Sequence, residues 1–325
     1  MPLTVHVLRE ITPAPLAHLR GKLRQNIALT IGGEVSQSAG YEILVDGRPE
    51  RQHITASSNL RALIIPYAGL PQETRALMLG FPQIAVHNLH HNAAAGAEMA
   101  ITLMLAAARF VVPADRALRR HDWMPRYRPD RAVLLAGKTA LILGYGAIGQ
   151  RVARACRGLG MEVIAIRRRR SNNHSPGVHA PEALPSLLPQ ADALIIALPL
   201  TPETEGLIGK EELALLPPYS VLVNVGRGSI VDEEALYRAL RDGRLYAAGL
   251  DVWYNYPSDK PSRPNTPPST YPFHELDNVV MSPHRGGMGS SQDIELQRMA
   301  HLARLLNAAA RGDEMPNHVD LDAGY

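Results

Sequence analysis

Cysteine, aromatic residues and long apolar runs are scarce in this chain of 325 residues. The single cysteine, Cys156, excludes an internal disulfide and is typical of a protein from a reducing compartment. Aromatic residues make up 5% of the chain, so aliphatic side chains must fill the cores. No stretch reaches the roughly 18 apolar residues that a membrane span needs. The first ten residues, MPLTVHVLRE, are not typical of a signal peptide. We therefore expect a cytoplasmic protein that does not bind a membrane.

The sequence also has only a small net charge and no evident cluster of metal ligands. The net charge of +3 is too small to indicate a nucleic-acid partner. Cys156 falls in a helical pattern and is predicted to be a buried packing residue rather than a nucleophile. His90 and His91 are adjacent, so their side chains point apart, and no thiol or carboxylate cluster accompanies them. The sequence thus predicts no metal site.

The length favours two domains, and each is predicted to be of the α/β class with a doubly wound parallel sheet. Short apolar, partly β-branched segments alternate with helical patterns. In the second half these strand segments are almost continuously apolar, which is typical of parallel strands buried on both faces. The predicted strands are residues 4–8, 27–31, 42–45 and 62–65, then 139–143, 162–166, 193–198, 220–225, 247–250 and 278–281.

Helices and irregular segments separate these strands. Six prolines between Pro257 and Pro272 exclude a helix or a central strand there and predict a surface loop. Residues 121–130 are predicted to form an irregular linker. The predicted helices are residues 15–23, 71–78, 93–112, 148–159, 233–242 and 289–312.

A glycine-rich loop, G-x-G-x-x-G, follows the first strand of the second series and begins a helix. Gly144 allows a tight turn, Gly146 lets the backbone approach a pyrophosphate, and Gly149 lets helix and strand pack closely. The free amides at the helix start, near Ala147 and Ile148, favour phosphate. Because the motif has the right strand and helix around it, we predict a dinucleotide-binding loop rather than an ordinary turn.

Arginines stand where a carboxylate is expected if the cofactor is NAD. The strand after the glycine loop ends at Arg167, followed by Arg168, and the run continues to Arg170. An acidic residue there would accept hydrogen bonds from the ribose hydroxyls, whereas a guanidinium attracts the 2′-phosphate of NADP. We therefore predict a preference for NADP, with NAD still usable. A solvated charge run is the alternative.

Several further segments are distinctive. They are residues 137–139 (GKT), 198–204 (LPLTPET), 223–232 (VNVGRGSIVD), 249–252 (GLDV), 282–287 (SPHRGG) and 316–320 (PNHVD). Together with the glycine loop they resemble the D-2-hydroxyacid dehydrogenase family, which includes glyoxylate/hydroxypyruvate reductases and phosphoglycerate dehydrogenases. The resemblance covers most of the chain and is strongest over residues 137–287.

The resemblance implies an NAD(P)-dependent oxidoreductase that transfers a hydride between NADP(H) and a small 2-oxo or 2-hydroxy acid. It assigns Arg227 to anchoring the carboxylate and polarising the carbonyl, and His284 to general acid/base catalysis. Both side chains suit these tasks, since guanidinium is a permanently charged planar fork and imidazole titrates near neutral pH. The residues assigned to cofactor binding are Gly144, Gly146, Ala147, Ile148, Gly149, Arg167, Arg168, Leu198, Pro199, Thr204, Val225, Gly226, Asp251 and Gly286.

The resemblance also implies the domain arrangement. A Rossmann-type cofactor domain, residues 110–287, is expected to be inserted into a flavodoxin-like substrate domain made of residues 1–109 and 288–325. It further implies a homodimer that assembles through the cofactor domain.

One departure from the family pattern lies beside the catalytic histidine. The family usually has a glutamate just before a proline, and it pairs with the histidine. Here that place holds Tyr256, before Pro257. A tyrosine can hydrogen-bond the imidazole but brings no charge at neutral pH. We therefore expect a lower pKa for His284 and a more acidic pH optimum for reduction. Asp259 and Glu275 are candidate substitutes.

A second departure concerns the segment that holds the substrate carboxylate through backbone amides. Ala68, Gly69 and Leu70 match this segment, but Pro71 stands where the family often has glycine, and proline has no N–H. Gly69 and Leu70 can still donate, and a helix beginning at Pro71 favours an anion.

Two alternatives to a 2-oxo acid reductase remain at this point. The first is a dehydrogenase for an unusual acid, since the family resemblance extends to formate and phosphonate dehydrogenases. The second is a cofactor-sensing module without catalysis, like the corepressors that share this fold. The presence of both Arg227 and His284 argues against a sensor.

Overall fold

The computed structural model describes residues 2–36, 38–127, 132–168, 177–288 and 291–324. The chain divides into two compact units. The first consists of Met1–Asn92 and Met288–Tyr325, and the second of Ala93–Gly287. Each unit contains one parallel sheet with helices on its faces, which is the α/β class predicted from the sequence.

The sheet of the first unit has five strands in the order β2-β1-β3-β4-β5. This is the strand order of flavodoxin-like folds. The strands are β1 (Leu3–Val7), β2 (Ile27–Ile31), β3 (Ile43–Val45), β4 (Ala62–Ile65) and β5 (Ala85–Asn88). The sequence analysis missed β5, because this short segment, AVHN, carries two polar residues and has too weak an apolar pattern.

Helices cover both faces of this sheet, and each face has its own apolar core. Helices α1 and α10 pack together on one face. The helices are α1 (Pro13–Lys22), α2 (Arg51–Thr55), α3 (Gln72–Leu79) and α10 (Ser291–Arg311). Helix α1 begins at Pro13, two residues before the predicted start, and Pro71 is the residue just before α3. Helix α2 is a single five-residue segment that the sequence analysis missed.

The sheet of the second unit has seven strands in the order β12-β11-β10-β9-β6-β7-β8. From β8 to β11 this is the doubly wound Rossmann order, with β12 added at one edge. The strands are β6 (Thr139–Leu143), β7 (Glu162–Ile166), β8 (Val178–His179), β9 (Ala193–Ile196), β10 (Val221–Asn224), β11 (Ala247–Leu250) and β12 (Val279–Met281). β8 was not predicted from the sequence, because it is only two residues long.

Helices on both faces bury the central strands of this sheet, so β9, β10 and β11 are buried at every residue. This explains their continuous apolar sequences. The helices of the unit are α4 (Ala93–Ala108), α5 (Val111–Leu118), α6 (Gly149–Gly158), α7 (Leu184–Leu187), α8 (Lys210–Leu215) and α9 (Glu233–Arg241). Cys156 on α6 is fully buried, and burial raises the pKa of its thiol to about 11, so it packs as an apolar residue.

The helix predicted over residues 93–112 is two helices. Helix α4 ends at Ala108, and Phe110 adopts a left-handed conformation with φ of 50°, which stops the helix before α5 begins. Helix α4 packs against β10, β11 and α6, and therefore belongs to the second unit. The boundary between the units falls after Asn92, whereas the sequence analysis placed it after Arg109.

The remaining irregular segments follow their composition. Residues 257–272 contain neither helix nor strand, as their prolines predicted. Glu233 on α9 holds this loop, because its carboxylate accepts hydrogen bonds from Ser269 Oγ at 2.6 Å and from the Thr270 amide at 2.9 Å. Residues 124–127 form a short 3₁₀ turn within the predicted linker, and residues 128–131 lie outside the described part.

The described residues contain no single helix that is long and apolar enough to cross a membrane. Helices α4 and α5, which meet at an angle of 65°, pass the length and composition test only as a pair.

The contact between α4 and β11 leads to a testable prediction about stability. A Cβ atom on Gly249 would lie 2.7 Å from Leu103 Cβ and 3.0 Å from the Leu103 carbonyl oxygen, so Gly249→Ala overpacks the core. We expect it to lower the free energy of unfolding by about 1–3 kcal/mol. The matched control is Gly158→Ala at the end of α6, where the new Cβ meets nothing within 4 Å.

The control should leave the stability unchanged or raise it by up to about 1 kcal/mol, since alanine favours helix. Differential scanning calorimetry of both variants measures the change. Equal melting temperatures for Gly249→Ala and the parent protein would contradict this packing.

Candidate active site

The glycine-rich loop has the geometry that its sequence predicts. Gly144 has φ of +98°, and a Cβ atom there would lie 2.6 Å from the Ala197 carbonyl oxygen. A Cβ atom on Gly149 would lie 1.9 Å from the Gly144 carbonyl oxygen, so only glycine lets α6 start this close to β6. At Gly146, by contrast, a Cβ atom would meet nothing within 4 Å. Ala147 and Ile148 complete the turn into α6.

The open side of the loop provides a test of cofactor fit. Space at Gly146 and the amides of Ala147, Ile148 and Gly149, which donate to no backbone group among the described residues, are what a pyrophosphate requires. The described residues therefore fit a dinucleotide, with its phosphates at the start of α6.

Arg167 and Arg168 follow β7 as predicted. The Arg167 amide donates to the His179 carbonyl oxygen on β8 at 2.9 Å, which fixes the backbone at the point where β7 ends. Arg167 is half-buried and Arg168 is exposed. The charge of Arg168 contributes to lowering the pKa of Glu203, after hydrogen bonds that include one with the Thr201 side chain. Arg169 and Arg170 lie outside the described residues.

Two loops follow β9 and β10, beside the glycine loop. Thr204 Oγ1 donates to the Pro199 carbonyl oxygen at 2.8 Å and closes the turn that begins at Leu198. In the next loop, a Cβ atom on Gly226, just after Val225, would lie 2.6 Å from the Leu198 carbonyl oxygen. The two loops therefore touch, and Leu198, Pro199, Val225 and Gly226 lie at the carboxyl ends of neighbouring strands.

Arg227 follows β10 and is held by its neighbours. The Asn224 side chain receives a hydrogen bond from the Gly226 amide at 3.0 Å and donates to the Arg227 carbonyl oxygen at 2.9 Å. On the other side, a Cβ atom on Gly228 would lie 2.3 Å from the Trp253 carbonyl oxygen. Asn224 and Gly228 thus fix the backbone on both sides of Arg227, whose side chain is exposed.

Asp251 follows β11 and is 1% exposed. Its Oδ1 accepts hydrogen bonds from Ser282 Oγ at 2.5 Å and from the Arg285 amide at 2.7 Å. Its Oδ2 accepts one from the Gly286 amide at 2.6 Å, and a Cβ atom on Gly286 would lie only 2.6 Å from the same oxygen. Three donors compensate for burial of the charge and tie the loop after β12 to the end of β11.

His284 lies in the loop that Asp251 holds. Its φ is 56°, in the left-handed region, and its amide donates to the Ser282 carbonyl oxygen at 3.0 Å. The same oxygen accepts a hydrogen bond from Trp253 Nε1 at 2.8 Å. This conformation costs about 1–3 kcal/mol for a non-glycine residue, and such strain is common at functional sites.

The pKa of His284 is lowered from its ordinary value of 6.5. Partial burial of the ring is the main cause, because it disfavours the charged form, and the positive charge of Arg227 adds to it. The negative charge of Asp251 opposes both and is outweighed.

Tyr256 packs beside His284, as its place in the sequence predicted. The ring centroids are 5.5 Å apart at an angle of 58°, and the Tyr256 hydroxyl accepts a hydrogen bond from the Trp253 amide at 3.2 Å. Burial raises the pKa of Tyr256, while the Trp253 amide and the charge of Arg227 lower it. Tyr256 is thus neutral at physiological pH.

Neither candidate substitute for the family's glutamate acts on His284. The charged groups that shift its pKa are Arg227 and Asp251. Glu275 lies near His274, with 4.0 Å between the carboxylate and the imidazole, and Asp259 caps a turn by accepting from the Ser262 amide at 2.8 Å.

The segment Ala68–Gly69–Leu70 lies in the first unit, between β4 and α3. The Asn88 side chain donates to the Ala68 carbonyl oxygen at 2.7 Å and fixes the start of the segment. Within the described residues, the Gly69 and Leu70 amides donate to no protein group. Backbone amides without a protein acceptor are available to bind an anion.

His91, also in the first unit, is buried, and its pKa is lowered to about 4. Burial is the main cause, followed by the charges of Arg298, His301 and His90. The described residues contain no group of three His, Cys, Asp or Glu side chains arranged for a metal ion.

Three residues that position the site were not singled out from the sequence. Asn224 orients the Arg227 loop, Ser282 links Asp251 to the loop of His284, and Trp253 donates to that loop. Each adjoins a motif residue in sequence, which is the only signal that the sequence offers for them.

Comparison with known proteins adds to this geometry. The family model described as "D-isomer specific 2-hydroxyacid dehydrogenase, NAD binding domain" matches residues 101–286. The chain is 40% identical over 233 residues to the glyoxylate reductase of Aeropyrum pernix. This match covers 70% of this chain and 66% of that protein. It is 34% identical over 227 residues to the D-3-phosphoglycerate dehydrogenase of Methanocaldococcus jannaschii, covering 69% of this chain and 41% of that protein. Both matches span less than two thirds of the relative's own length.

The solved structures agree. The D-isomer specific 2-hydroxyacid dehydrogenase from Xanthobacter autotrophicus Py2, solved in complex with NADPH and MES, has a TM-score of 0.77. The two chains are 25% identical, and the match covers 100% of each. With a family match over more than half of its residues and the same two-sheet fold, this chain belongs to the D-isomer specific 2-hydroxyacid dehydrogenase family.

Proposed function

We propose that the protein is an enzyme that reduces a small 2-oxo acid to the 2-hydroxy acid with NADP(H). The observation that carries this proposal is the grouping of Arg227, Asp251 and His284 after three neighbouring parallel strands, β10, β11 and β12. The charges of Arg227 and Asp251 act on the His284 ring, so the three groups share one site. Ligands of such sheets bind at the carboxyl ends of the strands.

Each group has a task in this reaction. The bound cofactor would supply the hydride for C2 of the acid. Arg227 would bind the carboxylate through its planar fork and polarise the carbonyl. His284 would donate the proton that the carbonyl oxygen takes up, and accept it in the reverse direction. The Asp251 contacts hold the loop that carries His284 and Gly286, and Gly286 would contact the cofactor.

The amides of Gly69 and Leu70 donate to no backbone group among the described residues, which supports binding of an anion by this loop of the first unit. Pro71 adds no amide, but α3 begins directly after it, and the start of a helix favours negative charge. We propose that Ala68, Gly69 and Leu70 form the substrate loop.

Arg167 supports the preference for NADP over NAD. It is half-buried where β7 ends, and no carboxylate takes the expected place there. Arg168 is exposed and lies near Glu203, so we assign it a secondary role.

A homodimer formed through the second unit is part of the proposal. The segment around α5 exposes large apolar side chains that a monomer would leave in water: Trp123 at 61%, Tyr127 at 68% and Leu134 at 67%. The single buried cysteine supports a cytoplasmic location.

The main competitor is a module that senses the cofactor without turnover. His284 decides between the two. We expect His284→Ala to lower kcat by about 100-fold to 10⁴-fold, because it removes the proton donor, while NADPH binding is retained. Absorbance at 340 nm with glyoxylate, hydroxypyruvate, pyruvate and bulkier 2-oxo acids measures turnover, and NADPH fluorescence measures binding. The matched control is His274→Ala, at an exposed histidine of the same unit.

Unchanged turnover in His284→Ala would contradict the assigned role. Clear NADPH binding without turnover of any acid by the parent protein would favour a sensor or an unusual acid substrate.

The role of Arg167 predicts a change in cofactor preference. Arg167→Asp removes the partner of the 2′-phosphate and restores a ribose acceptor. Since a hydrogen bond to a charged group contributes about 1.5–3 kcal/mol, kcat/KM with NADPH should fall by about tenfold to 100-fold. The value with NADH should rise. Arg154→Ala, on the exposed face of α6, removes a charge of the same sign elsewhere and should leave the preference unchanged. Equal use of both cofactors by the parent protein would refute the assignment.

The lowered pKa of His284 predicts an acidic pH profile. Reduction needs the protonated ring, so its rate should fall as pH rises through a pKa below 6.5. Tyr256→Glu places a carboxylate beside the ring, raises the pKa and should move this fall to higher pH. The measurement is the pH dependence of kcat/KM for both proteins, and Tyr256→Phe serves as the uncharged control. Superimposable profiles for the parent protein and Tyr256→Glu would rule out this explanation.

A further inference from the structure

His284, the proton donor of the proposed reaction, has little negative charge around it to stabilise its protonated form. Reduction of a ketone or aldehyde requires a proton for the carbonyl oxygen, and His284 must carry that proton. Within the second unit, the neutral Tyr256 lies beside His284, with 5.5 Å between the ring centroids. Both oxygens of Asp251 already accept hydrogen bonds from the Ser282 hydroxyl and from two backbone amides. Arg227 adds positive charge. The negative charge of Asp251 favours the protonated ring, but partial burial of the ring and the charge of Arg227 outweigh it, and Tyr256 adds no charge. The neutral imidazole is therefore favoured at physiological pH.

A neutral imidazole beside a tyrosine hydroxyl suits a different electrophile. The iminium group of a 2-imino acid, C=NH₂⁺, already carries the proton that a carbonyl would have to acquire. Transfer of a hydride to its carbon forms a C–H bond, and the π electrons of the C=N bond become the lone pair of a neutral amine. No proton donor is needed in that step, and the amine takes a proton from water afterwards.

The same groups can also recognise this electrophile. Each N–H of an iminium group needs a hydrogen-bond acceptor, and neutral imidazole offers one ring nitrogen. The Tyr256 hydroxyl accepts from the Trp253 amide at 3.2 Å and has a second lone pair. A substrate carboxylate bound by Arg227 would lie between the two positive charges, so the guanidinium would not exclude the cation.

We propose that the site reduces the iminium form of a 2-oxo acid in preference to the free 2-oxo acid. The iminium forms when the 2-oxo acid condenses with ammonia or a primary amine and the carbonyl oxygen leaves as water. The product is then a 2-amino acid. The inference rests on the proposed hydride transfer from NADPH to C2. It differs only in the atom doubly bonded to C2, which is an iminium nitrogen instead of a carbonyl oxygen. Tyr256 and His284 are the residues that set this preference.

The experiment compares one acid in two buffers of equal pH and ionic strength. Glyoxylate or pyruvate is incubated with the full-length protein and NADPH, first with ¹⁵N-ammonium or methylamine and then with trimethylamine, which cannot form this iminium. We expect NADPH oxidation to be about tenfold to 100-fold faster with the primary amine or ammonium. This is less than the roughly 100-fold to 10⁴-fold that a general acid contributes to the carbonyl reaction, because only part of the acid is present as the iminium. Mass spectrometry should find the nitrogen in the product.

Tyr256→Glu tests the cause. The added carboxylate should raise 2-hydroxy acid formation and shrink the advantage of the amine, whereas Tyr256→Phe should not raise 2-hydroxy acid formation. NADPH binding checks that each variant is folded. Equal rates of NADPH oxidation in both buffers, with 2-hydroxy acid as the product and no nitrogen in it, would overturn the inference and leave the proposed function intact. Lack of NADPH oxidation in both buffers would overturn the proposed function as well.

Discussion

The buried carboxylate of Asp251 is the interaction on which the site depends. A charge that is 1% exposed would destabilise the fold by several kcal/mol if it had no partners. Here the Ser282 hydroxyl and the amides of Arg285 and Gly286 satisfy it. Because two of these donors are consecutive backbone amides directly after His284, they fix the path of the polypeptide after β12. The left-handed conformation of His284 follows from that path rather than from any preference of histidine.

Arg227 and His284 are coupled by the same geometry. The guanidinium must lie close enough to bind the carboxylate of an acid whose carbonyl faces the imidazole, and at that distance its charge disfavours the imidazolium. The charge of Asp251 offsets this effect only in part, because its oxygens accept hydrogen bonds from other groups, and Tyr256 brings only a hydroxyl. The site therefore combines a firm anchor for an anion with a weak proton donor.

The sequence predicted those features that arise from local rules. Gly144 and Gly149 were predicted from their spacing, because the turn after β6 and the close start of α6 exclude a side chain. Features that arise from tertiary contacts were not predicted. The break at Phe110 interrupts a continuous apolar pattern, and β5 is a strand because β4 pairs with it rather than because of its sequence. Asn224 carries no signal of its own, since its two hydrogen bonds exist only once the β10 loop has folded.

Both of the departures that change charge, at Arg167 and at Tyr256, make the second unit more positive. Arg167 in place of an acidic residue changes the local charge by +2, and Tyr256 in place of glutamate changes it by +1, which makes +3 in total over the second unit. The 2′-phosphate of NADP brings back about two negative charges at the first place. No negative charge compensates for the loss at Tyr256, because the carboxylate of the substrate would already pair with Arg227. The uncompensated positive charge therefore acts on His284, the proton donor. An iminium electrophile already carries its proton, so its reduction needs no proton donor.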